Sequence, residues 1–403
     1  MAAVDVVVVG GGIQGLVVLR ELTAAGYGCV LVTAGDLGTG QTLHSHGLLN
    51  SGTGLMTGAL QEELHRFTLP YLRRLDVPWY GEDRSYLLLP DDARERLAAA
   101  WEANAYQPEP IDPSVLPHGF QAVAPAYRVA GYNVDKRRLV QALAAGFEHL
   151  VLCGEVVGVD DTLQIRATPS GETVSLRASA VVVAAGCGTK RLLRDYFQVE
   201  AVTLGPIGYT KLHMVCIRGP KDVLADVGTV VSSEVMVVGH PLPGGGGAEG
   251  QGVRWYVTPV DPSPVVYEEA PDAAAAPIDR PTVRSALEAL VRLVPRLADS
   301  GVPVDATVFA GYKQNLDGQP TRRACEVVDA ERNVLMALPS VLANAVPNAV
   351  DAVEILRARV EPTGRTGAAL CGGAPVGELD EDRAQVRWAG WGDFARSFGV
   401  RIG

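Results

Sequence analysis

The chain has 403 residues, 47% of them hydrophobic and 20% charged, so it is long enough for two globular domains and too apolar to be disordered. Its net charge of −11 argues against a nucleic-acid partner bound through phosphate contacts. Its 6 cysteines are scattered without a Cys-x-x-Cys pair, which argues against a metal site and suits a reducing cytoplasm. No apolar run has the length of a membrane span, and we expect a cytoplasmic protein.

The N-terminus predicts one βαβ unit. Val4–Val9 is an apolar, β-branched run of the kind found in buried parallel strands. A helical pattern follows over residues 13–25, and Cys29–Val32 predicts a second strand. The spacing of these three elements is typical of a single βαβ unit.

A glycine pattern lies between the first strand and the helix. Gly10, Gly12 and Gly15 form G-x-G-x-x-G, which permits a tight turn, close approach of a pyrophosphate and close helix–strand packing. The anion would lie on the N–H groups at the start of the helix. The acidic residue that usually binds the ribose is replaced by Thr33, with Asp36 as a possible substitute. The pattern predicts a dinucleotide site.

The remaining chain alternates between helical and strand patterns, and from 212 to 258 the strands become antiparallel. The glycine-rich stretch 243–252 is typical of a hairpin connection. Helices are predicted over 59–75, 92–104, 136–147, 283–297 and from about 347. Strands are predicted over 150–159, 163–168, 173–178, 181–185, 212–217, 229–238, 253–259 and a short segment after 307. The pattern predicts an α/β protein, with an α/β nucleotide-binding domain interrupted by insertions that build a second, antiparallel domain.

Several segments occur in an order that resembles one known family. These are Gly10–Gly15, the run 38–48, 133–135 before a helix, 181–186, and 311–313 leading to Asp317-Gly318 and the block 335–349. Together they resemble FAD-dependent oxidoreductases of the D-amino-acid oxidase superfamily, over nearly the whole chain. The resemblance implies a Rossmann-like FAD-binding domain of the glutathione-reductase type, with substrate held between the flavin and an inserted antiparallel sheet.

The resemblance also implies domain boundaries and cofactor contacts. The FAD-binding domain takes residues 1–58, 125–205 and 305–360, the substrate domain takes 59–124 and 206–304, and 361–403 form an extension whose aromatic residues we expect to pack on the protein or a partner protomer. The implied cofactor contacts are Gly10, Gly12, Ile13, Gln14, Gly15, Thr33, Ala34, Gln41, Thr42, His44, Ser45, His46, Gly47, Val156 or Val157, Ala185, Gly186, Tyr312, Ser340, Val341 and Leu342. The N–H groups of 340–342 are expected to stabilise negative charge on the reduced flavin ring.

His44 has three interpretations. The run 42–48, Thr-Leu-His-Ser-His-Gly-Leu, resembles the Thr-Trp-His-Ala-Ala-Gly-Leu pattern of dimethylglycine-dehydrogenase-like members, in which the histidine is covalently linked to the flavin. The run 45–52 also resembles 2-hydroxyglutarate-oxidising relatives, in which no such bond is expected. In the third interpretation His44 is only hydrogen-bonded beside the cofactor.

The segment 310–313 is similar to a flavin-facing strand of sarcosine-oxidase-like members. Ala310 takes the place of the cysteine that links to the flavin in that subgroup, which excludes a cysteinyl flavin. Tyr312 would then point towards the substrate side of the ring. The alternative for Tyr312 is a core residue of the strand with a hydrogen-bonded hydroxyl.

The chemistry depends on how the substrate loses its proton. An amine that binds neutral needs little help, whereas a hydroxyl needs a base, for which histidine is the natural residue. His46 is the first candidate because its loop should border the flavin. His213 and His240 are alternatives, for which structural roles are favoured. A substrate carboxylate would be bound by Arg254 or, after it, Arg218.

Lys313 could attract a carboxylate or assist oxygen reduction through its charge. We therefore expect an FAD-dependent enzyme that oxidises a C–N bond of an amino acid or amine-bearing metabolite by hydride transfer to flavin N5. The alternative is oxidation of a C–OH bond in a 2-hydroxy acid or related small molecule. A remote alternative is a non-catalytic or RNA-modifying flavoprotein, against which the acidic charge counts. The electron acceptor, O2 or another, is left open, and no metal is expected.

Overall fold

The computed structural model describes residues 2–49, 58–103, 108–204, 207–242, 252–260, 266–267, 277–316, 323–339, 341–365, 371–378 and 386–403. Ser340, the Asp317-Gly318 pair, residues 50–52 and most of the stretch 243–252 lie outside these ranges. Within the described part of the chain, no helix is long and apolar enough to cross a bilayer.

The helices are α1 (Ile13–Ala24), α2 (Gln41–His44), α3 (Gly58–Glu63), α4 (Leu69–Arg74), α5 (Asp91–Ala103), α6 (Lys136–Ala144), α7 (Thr189–Asp195), α8 (Ala201–Leu204), α9 (Arg280–Leu293), α10 (Ala345–Arg357) and α11 (Trp391–Ser397). A π-helical segment, Leu64–Thr68, joins α3 to α4, so the helix predicted over 59–75 is present with one wide turn inside it.

The strands are β1 (Ala2–Val9), β2 (Cys29–Thr33), β3 (Trp79–Tyr80), β4 (Ser85–Leu88), β5 (Glu109–Ile111), β6 (Ala126–Val129), β7 (Asn133–Val134), β8 (Val151–Val159), β9 (Leu163–Ala167), β10 (Thr173–Val183), β11 (Ile207–Pro220), β12 (Thr229–Ser232), β13 (Val235–Pro241), β14 (Gly252–Pro259), β15 (Val266–Tyr267), β16 (Asp305–Leu316), β17 (Arg323–Asp329), β18 (Val334–Pro339) and β19 (Val386–Gly390).

The first sheet is the predicted nucleotide-binding sheet. Strands β8, β2, β1, β10 and β18 are parallel neighbours, β9 pairs antiparallel with β8 and β10, and β17 pairs antiparallel with β18. The two strands predicted over 173–178 and 181–185 are one continuous strand, β10. Its first residues pair with β9 and the rest with β1, so one strand belongs to both pairings.

The second sheet has the strand order β19-β16-β11-β14-β13-β12-β4-β6-β5, with β15 also paired to β11. The single strand predicted over 229–238 is wrong, because Ser232 reverses the chain between β12 and β13. Its hydroxyl accepts hydrogen bonds from the N–H groups of Glu234 and Val235, a turn that competes with a straight strand. The short strand predicted after 307 is the twelve-residue β16.

The predicted domain boundary at 305 needs correction. Strand β16 pairs with β11 along its whole length, from Ile207 opposite Leu316 to Arg218 opposite Asp305. Residues 305–316 therefore belong to the antiparallel sheet and not to the nucleotide-binding sheet. The C-terminal extension also joins this sheet, because β19 pairs with the other edge of β16.

Packing places the two sheets on either side of the loop that follows β2. Helices α1, α6 and α10 share an apolar cluster with one face of the parallel sheet. Helices α9 and α11 cover one face of the antiparallel sheet, around the fully buried Trp255 and Trp391. The other face of the antiparallel sheet meets residues 44–48, through a small cluster that includes Leu48, Tyr256 and Phe309. The candidate site lies at this junction.

Candidate active site

The glycine turn after β1 has no room for side chains. Gly10 has a φ of +127°, and a Cβ there would lie 2.3 Å from the carbonyl oxygen of Ala184. A Cβ on Gly15 would lie 1.8 Å from the carbonyl oxygen of Gly10. Any larger residue would therefore separate β1 from β10 or from α1. The turn also lies beside Ala185, so the predicted contacts at the ends of β1 and β10 are brought together.

Gly12, the residue before α1, supplies no side-chain cap for the N–H groups of the first turn. The hydroxyl of Thr42 accepts a hydrogen bond from Ile13 N at 3.0 Å, which holds α2 against the start of α1. The side chain of Gln14 points elsewhere: its amide donates to Ala345 O at 3.2 Å and accepts from Asn348 Nδ2 at 3.1 Å. Its predicted cofactor contact is therefore limited to its backbone, and its side chain joins α1 to α10.

Three predicted nucleotide contacts lie around the end of β2 and on β8. Thr33 is buried under the glycine turn and donates its hydroxyl proton to Gly35 O at 2.8 Å. Ala34 is exposed beside it. The side chain of Val156 is buried in the apolar cluster of the parallel sheet, so its contact too is limited to its backbone.

Helix α2 and the residues after it form the loop of the site. His44 Nδ1 donates to Gly40 O at 2.7 Å, and its ring lies edge-on to Phe309 at 6.1 Å between centroids. A Cβ on Gly311 would lie 2.7 Å from His44 Cδ2. The absence of a side chain at Gly311 thus lets His44 lie against β16. Ser45 Oγ donates to Thr42 O at 2.8 Å, which closes the helix.

Gln41, Gly186 and Cys187 meet at the start of α2. A Cβ on Gly186 would lie 3.9 Å from Gln41 Oε1, and Cys187 Sγ is 3.9 Å from the same oxygen. The structure therefore brings together the predicted contacts Gln41, at the start of α2, and Gly186, after the end of β10.

His46 is half-buried at the centre of the loop. Its Nδ1 accepts a hydrogen bond from Leu48 N at 3.3 Å. Burial, followed by the nearby charges of Lys313, Lys136 and His240, lowers the pKa of His46 to about 3. The ring is therefore uncharged at neutral pH.

The loop is fastened to its surroundings through two carbonyl groups. His240 Nε2 donates to His46 O at 2.6 Å, and the hydroxyl of Tyr80 bonds the other ring nitrogen of His240. Lys136 Nζ donates to Leu43 O at 2.8 Å. Both His240 and Lys136 also contact the ring of Tyr256, at 5.1 Å and 4.2 Å respectively.

Gly47 completes this fastening. Its φ is +76°, and a Cβ there would lie 2.4 Å from Val134 O and 2.9 Å from His240 Cε1. Its carbonyl accepts from Val134 N at 2.9 Å, and Leu48 forms a bridge with Asn133. Backbone hydrogen bonds and this isolated bridge thus hold the loop beside β7.

Strand β16 presents alternate residues to the site. Gly311 faces His44, so Phe309 and Lys313, two residues away on either side, share its face. Lys313 is half-buried, and burial lowers the pKa of its ammonium to about 8. Within the described ranges, its ammonium has no hydrogen bond and no ion pair.

The same alternation places Ala310 and Tyr312 on the other face of β16. Both point into the apolar cluster of the parallel sheet, and Tyr312 is 6% exposed. Its ring is edge-on to Tyr267 at 5.8 Å. This placement agrees with the alternative interpretation of Tyr312 as a core residue of the strand.

The other predicted substrate contacts lie on β11, β13 and β14. Arg254 is half-buried, with Nη1 3.5 Å from the hydroxyl of Tyr256, and stands opposite Arg218 and His240 in the sheet. Arg218 is bound to Asp305 at 3.3 Å and lies over the ring of Trp388 at 4.1 Å. Arg218, Arg254 and His240 thus lie side by side on three neighbouring strands, with their side chains on the same face of the sheet.

His213 is separated from this site. Its Nε2 accepts from Asp279 N at 2.9 Å, before α9, and its neighbour across the sheet is Ala310, on the face turned away from His44. This placement agrees with a structural role for His213.

The turn before α10 carries Val341 and Leu342, both nearly buried. Thr68, in the π-helical segment, donates its hydroxyl proton to Ala343 O at 2.7 Å and fixes this turn. Sequence reasoning missed Thr68, as it missed Lys136, Tyr80 and Tyr256. A lysine in the first turn of a helix looks like a solvated residue, and only the helix-capping Asn-Val-Asp run before Lys136 pointed to its vicinity.

Comparisons with known proteins find a matching family model and similar structures. A family model described as FAD dependent oxidoreductase (DAO) matches residues 5–339. The probable FAD-dependent oxidoreductase PA4991 of Pseudomonas aeruginosa is 28% identical over 282 residues, which cover 63% of this chain and 67% of that protein. The crystal structure of PA4991 matches with a TM-score of 0.68 and 22% identity, over 95% of this chain and 98% of that one.

Two further crystal structures share the fold. Glycine oxidase from Geobacillus kaustophilus matches with a TM-score of 0.65 and 18% identity, over 88% of this chain and 95% of that chain. L-α-glycerophosphate oxidase from Mycoplasma pneumoniae, with FAD bound, matches with a TM-score of 0.66 and 15% identity, over 91% of this chain and 98% of that chain.

Proposed function

The chain belongs to the DAO family of FAD-dependent oxidoreductases, and we propose that it oxidises a C–N bond of an amino acid or an amine-bearing metabolite. The observation that carries the proposal is the state of the histidines at the loop, because His46 is held uncharged and both ring nitrogens of His240 are bonded. Neither is arranged to take a proton from a hydroxyl group.

The residues around the glycine turn fit FAD. Gly10 and Gly15 let β1, β10 and α1 approach one another closely, as the turn of a dinucleotide site requires, and the start of α1 offers N–H groups to the charge of a pyrophosphate. FAD, when bound, accepts a hydride from the substrate and passes the electrons on to an acceptor. The loop 40–47 and the turn at Val341 and Leu342 would hold its ring.

Oxidation of an alcohol and oxidation of an amine differ in whether the protein must supply a base. An alcohol must lose its hydroxyl proton as the hydride leaves, and a base with a pKa near 7 serves best. Because His46 has a pKa of about 3, it is a poor base for this step. An amine that binds in its neutral form already has a lone pair to stabilise the developing cation, so it needs no such base.

The basic groups of the site suit a carboxylate. Lys313 is half-buried without an ion pair in the described part of the chain, and it faces the same side of β16 as Gly311. Placing a carboxylate beside Lys313 would offset the cost of burying its charge. Arg254 offers a second cation on the same face of the sheet. An amino acid supplies both a carboxylate for these two cations and an amine to be oxidised, whereas a simple amine supplies only the amine.

Matched substrate pairs test the proposal. Alanine and lactate, and glutamate and 2-hydroxyglutarate, differ only in the group to be oxidised. We expect the amino member of a pair to bleach the flavin absorbance without oxygen and to yield ammonia with the corresponding keto acid. Bleaching by the hydroxy acid alone would favour C–OH oxidation.

A covalent bond between His44 and the flavin stays a prediction. Acid precipitation of the purified protein tests it, since flavin in the pellet would indicate the bond and free FAD in the supernatant would exclude it. His44→Ala should then release the flavin from the pellet. An unchanged pellet in this variant would point to another linkage.

A further inference from the structure

We propose that His46 serves the site as an uncharged hydrogen-bond donor, with its Nε2–H directed to an oxygen of the substrate carboxylate. This role rests on the proposed function only in that the substrate carries a carboxylate. It replaces the role of base that the sequence suggested, and it follows from the contacts of the ring.

The first step is the tautomer. Leu48 N donates to His46 Nδ1 at 3.3 Å, so this nitrogen must carry a lone pair. In a neutral imidazole the proton then lies on Nε2. The ring therefore presents a donor on its other side, which an acceptor on a bound ligand can use.

The second step is the charge around the ring. The groups that act on His46 are Lys313 from β16, Lys136 from α6 and His240 from β13, and Tyr80 stands behind His240 on β3. All of the charged groups among these are basic. Their field opposes a proton on His46 and at the same time attracts an anion, so an uncharged donor beside Lys313 suits a carboxylate oxygen.

The third step is rigidity. His46 O is held by His240 Nε2 at 2.6 Å, and the next carbonyl, of Gly47, is held by Val134 N at 2.9 Å. The backbone of His46 is therefore fixed to the antiparallel sheet, and the backbone of the next residue, Gly47, is fixed to β7. A ring held in this way keeps its donor in one direction without a further loss of entropy on binding.

Two variants and one control separate the donor from a base. His46→Gln keeps an uncharged donor, His46→Leu removes it, and His149→Leu changes an exposed histidine elsewhere. The ligands are acetate and benzoate, whose dissociation constants are measured on the FAD-loaded protein from the change in flavin absorbance. We expect weakening of about tenfold in His46→Leu, and little change in His46→Gln and in the control.

Nuclear magnetic resonance of ¹⁵N-histidine-labelled protein gives a readout that does not depend on turnover. We expect the His46 signals of an Nε2–H imidazole that stays neutral down to about pH 4, and we expect them to be absent in His46→Gln. Titration of His46 near pH 6.5, or carboxylate binding unchanged in His46→Leu, would overturn the inference. If the carboxylates bind as expected but amino acids do not bleach the flavin, the proposed function fails and this inference stands.

Discussion

Lys313 is a cationic residue whose half-buried position disfavours its own charge. A charged ammonium in a half-buried position loses hydration, and this lowers its pKa from the usual 10.5 to about 8. A bound anion would restore the lost interaction. A bound carboxylate would therefore stabilise the charged form of Lys313 more than it would stabilise a solvated lysine.

The pH dependence of carboxylate binding should report this lysine. Below pH 8 Lys313 is protonated and attracts the anion, and above it the charge is lost, so we expect the dissociation constant of acetate to rise by up to about tenfold per pH unit above pH 8. Lys313→Arg should keep tight binding to higher pH, and Lys313→Met should bind weakly throughout. An acetate titration with the same pH profile in all three proteins would exclude the role.

His46 should make the protein sensitive to acid. Its pKa is about 3 in the folded chain and near 6.5 in the unfolded chain, so the unfolded state binds more protons between these values. The stabilisation is complete above pH 6.5 and is lost as the pH falls towards 3. We expect urea unfolding to show a loss of about 2 kcal/mol from this group between pH 7 and pH 5. His46→Gln should lack that part of the slope, and parallel profiles for the two proteins would contradict the expectation.

At the scale of elements, the loop that follows α2 and lies beside β7 depends on a positive φ at Gly47, a conformation that only glycine adopts without strain. Gly47→Ala would place a Cβ against Val134 O and His240 at a positive φ. We expect a loss of about 2 kcal/mol or more in stability, together with weaker FAD retention, because the carbonyl contacts of the loop would shift.

Gly26→Ala is the matched control for this substitution. Gly26 also has a positive φ, +93°, but nothing lies within 4 Å of the position that its Cβ would take. We expect a cost of about 1 kcal/mol and unchanged FAD retention. The ratio of flavin to protein absorbance after gel filtration measures retention, and equal losses in the two variants would remove the steric argument.

The elements also show what a sequence can and cannot determine. The βαβ unit and the glycine turn are predictable because strand, turn and helix each leave a local signal in the chain. The two faces of β16 cannot be told apart from the sequence, because a strand with Ala310 and Gly311 at its centre has no clear alternation. Tyr312 and Lys313 are therefore both candidates in the sequence, although they lie on opposite faces of the strand. Contacts such as that of Tyr80 with His240 join distant segments and leave no local signal.

At the scale of the whole molecule, the chain continues beyond the family match, which ends at residue 339. The end of the extension is a structural part of the antiparallel sheet. Strand β19 pairs with β16, and Trp391, Phe394 and Phe398 are buried in the cluster beneath that sheet. The sequence leaves open whether these aromatic residues pack on the protein or on a partner protomer, and the structure places them in the protein.

Trp391 should therefore be the residue that holds the extension to the sheet. It is 1% exposed, its Nε1 donates to Leu297 O at 2.6 Å, and its backbone N–H donates to Val304 O at 2.9 Å. Trp391→Ala leaves a cavity and an unpaired carbonyl, so we expect a loss of about 3–5 kcal/mol in urea unfolding.

Trp388, three residues earlier and on β19, provides the comparison within the same extension. It is half-buried under Arg218 at the edge of the sheet, so Trp388→Ala should cost well under half as much. If the extension merely lay on the surface, the two variants would unfold at the same urea concentration as the unaltered protein.

Because β19 is the neighbour of β16, a large loss of stability in Trp391→Ala should also weaken acetate binding at Lys313. Trp388→Ala should leave that binding nearer to the value of the unaltered protein.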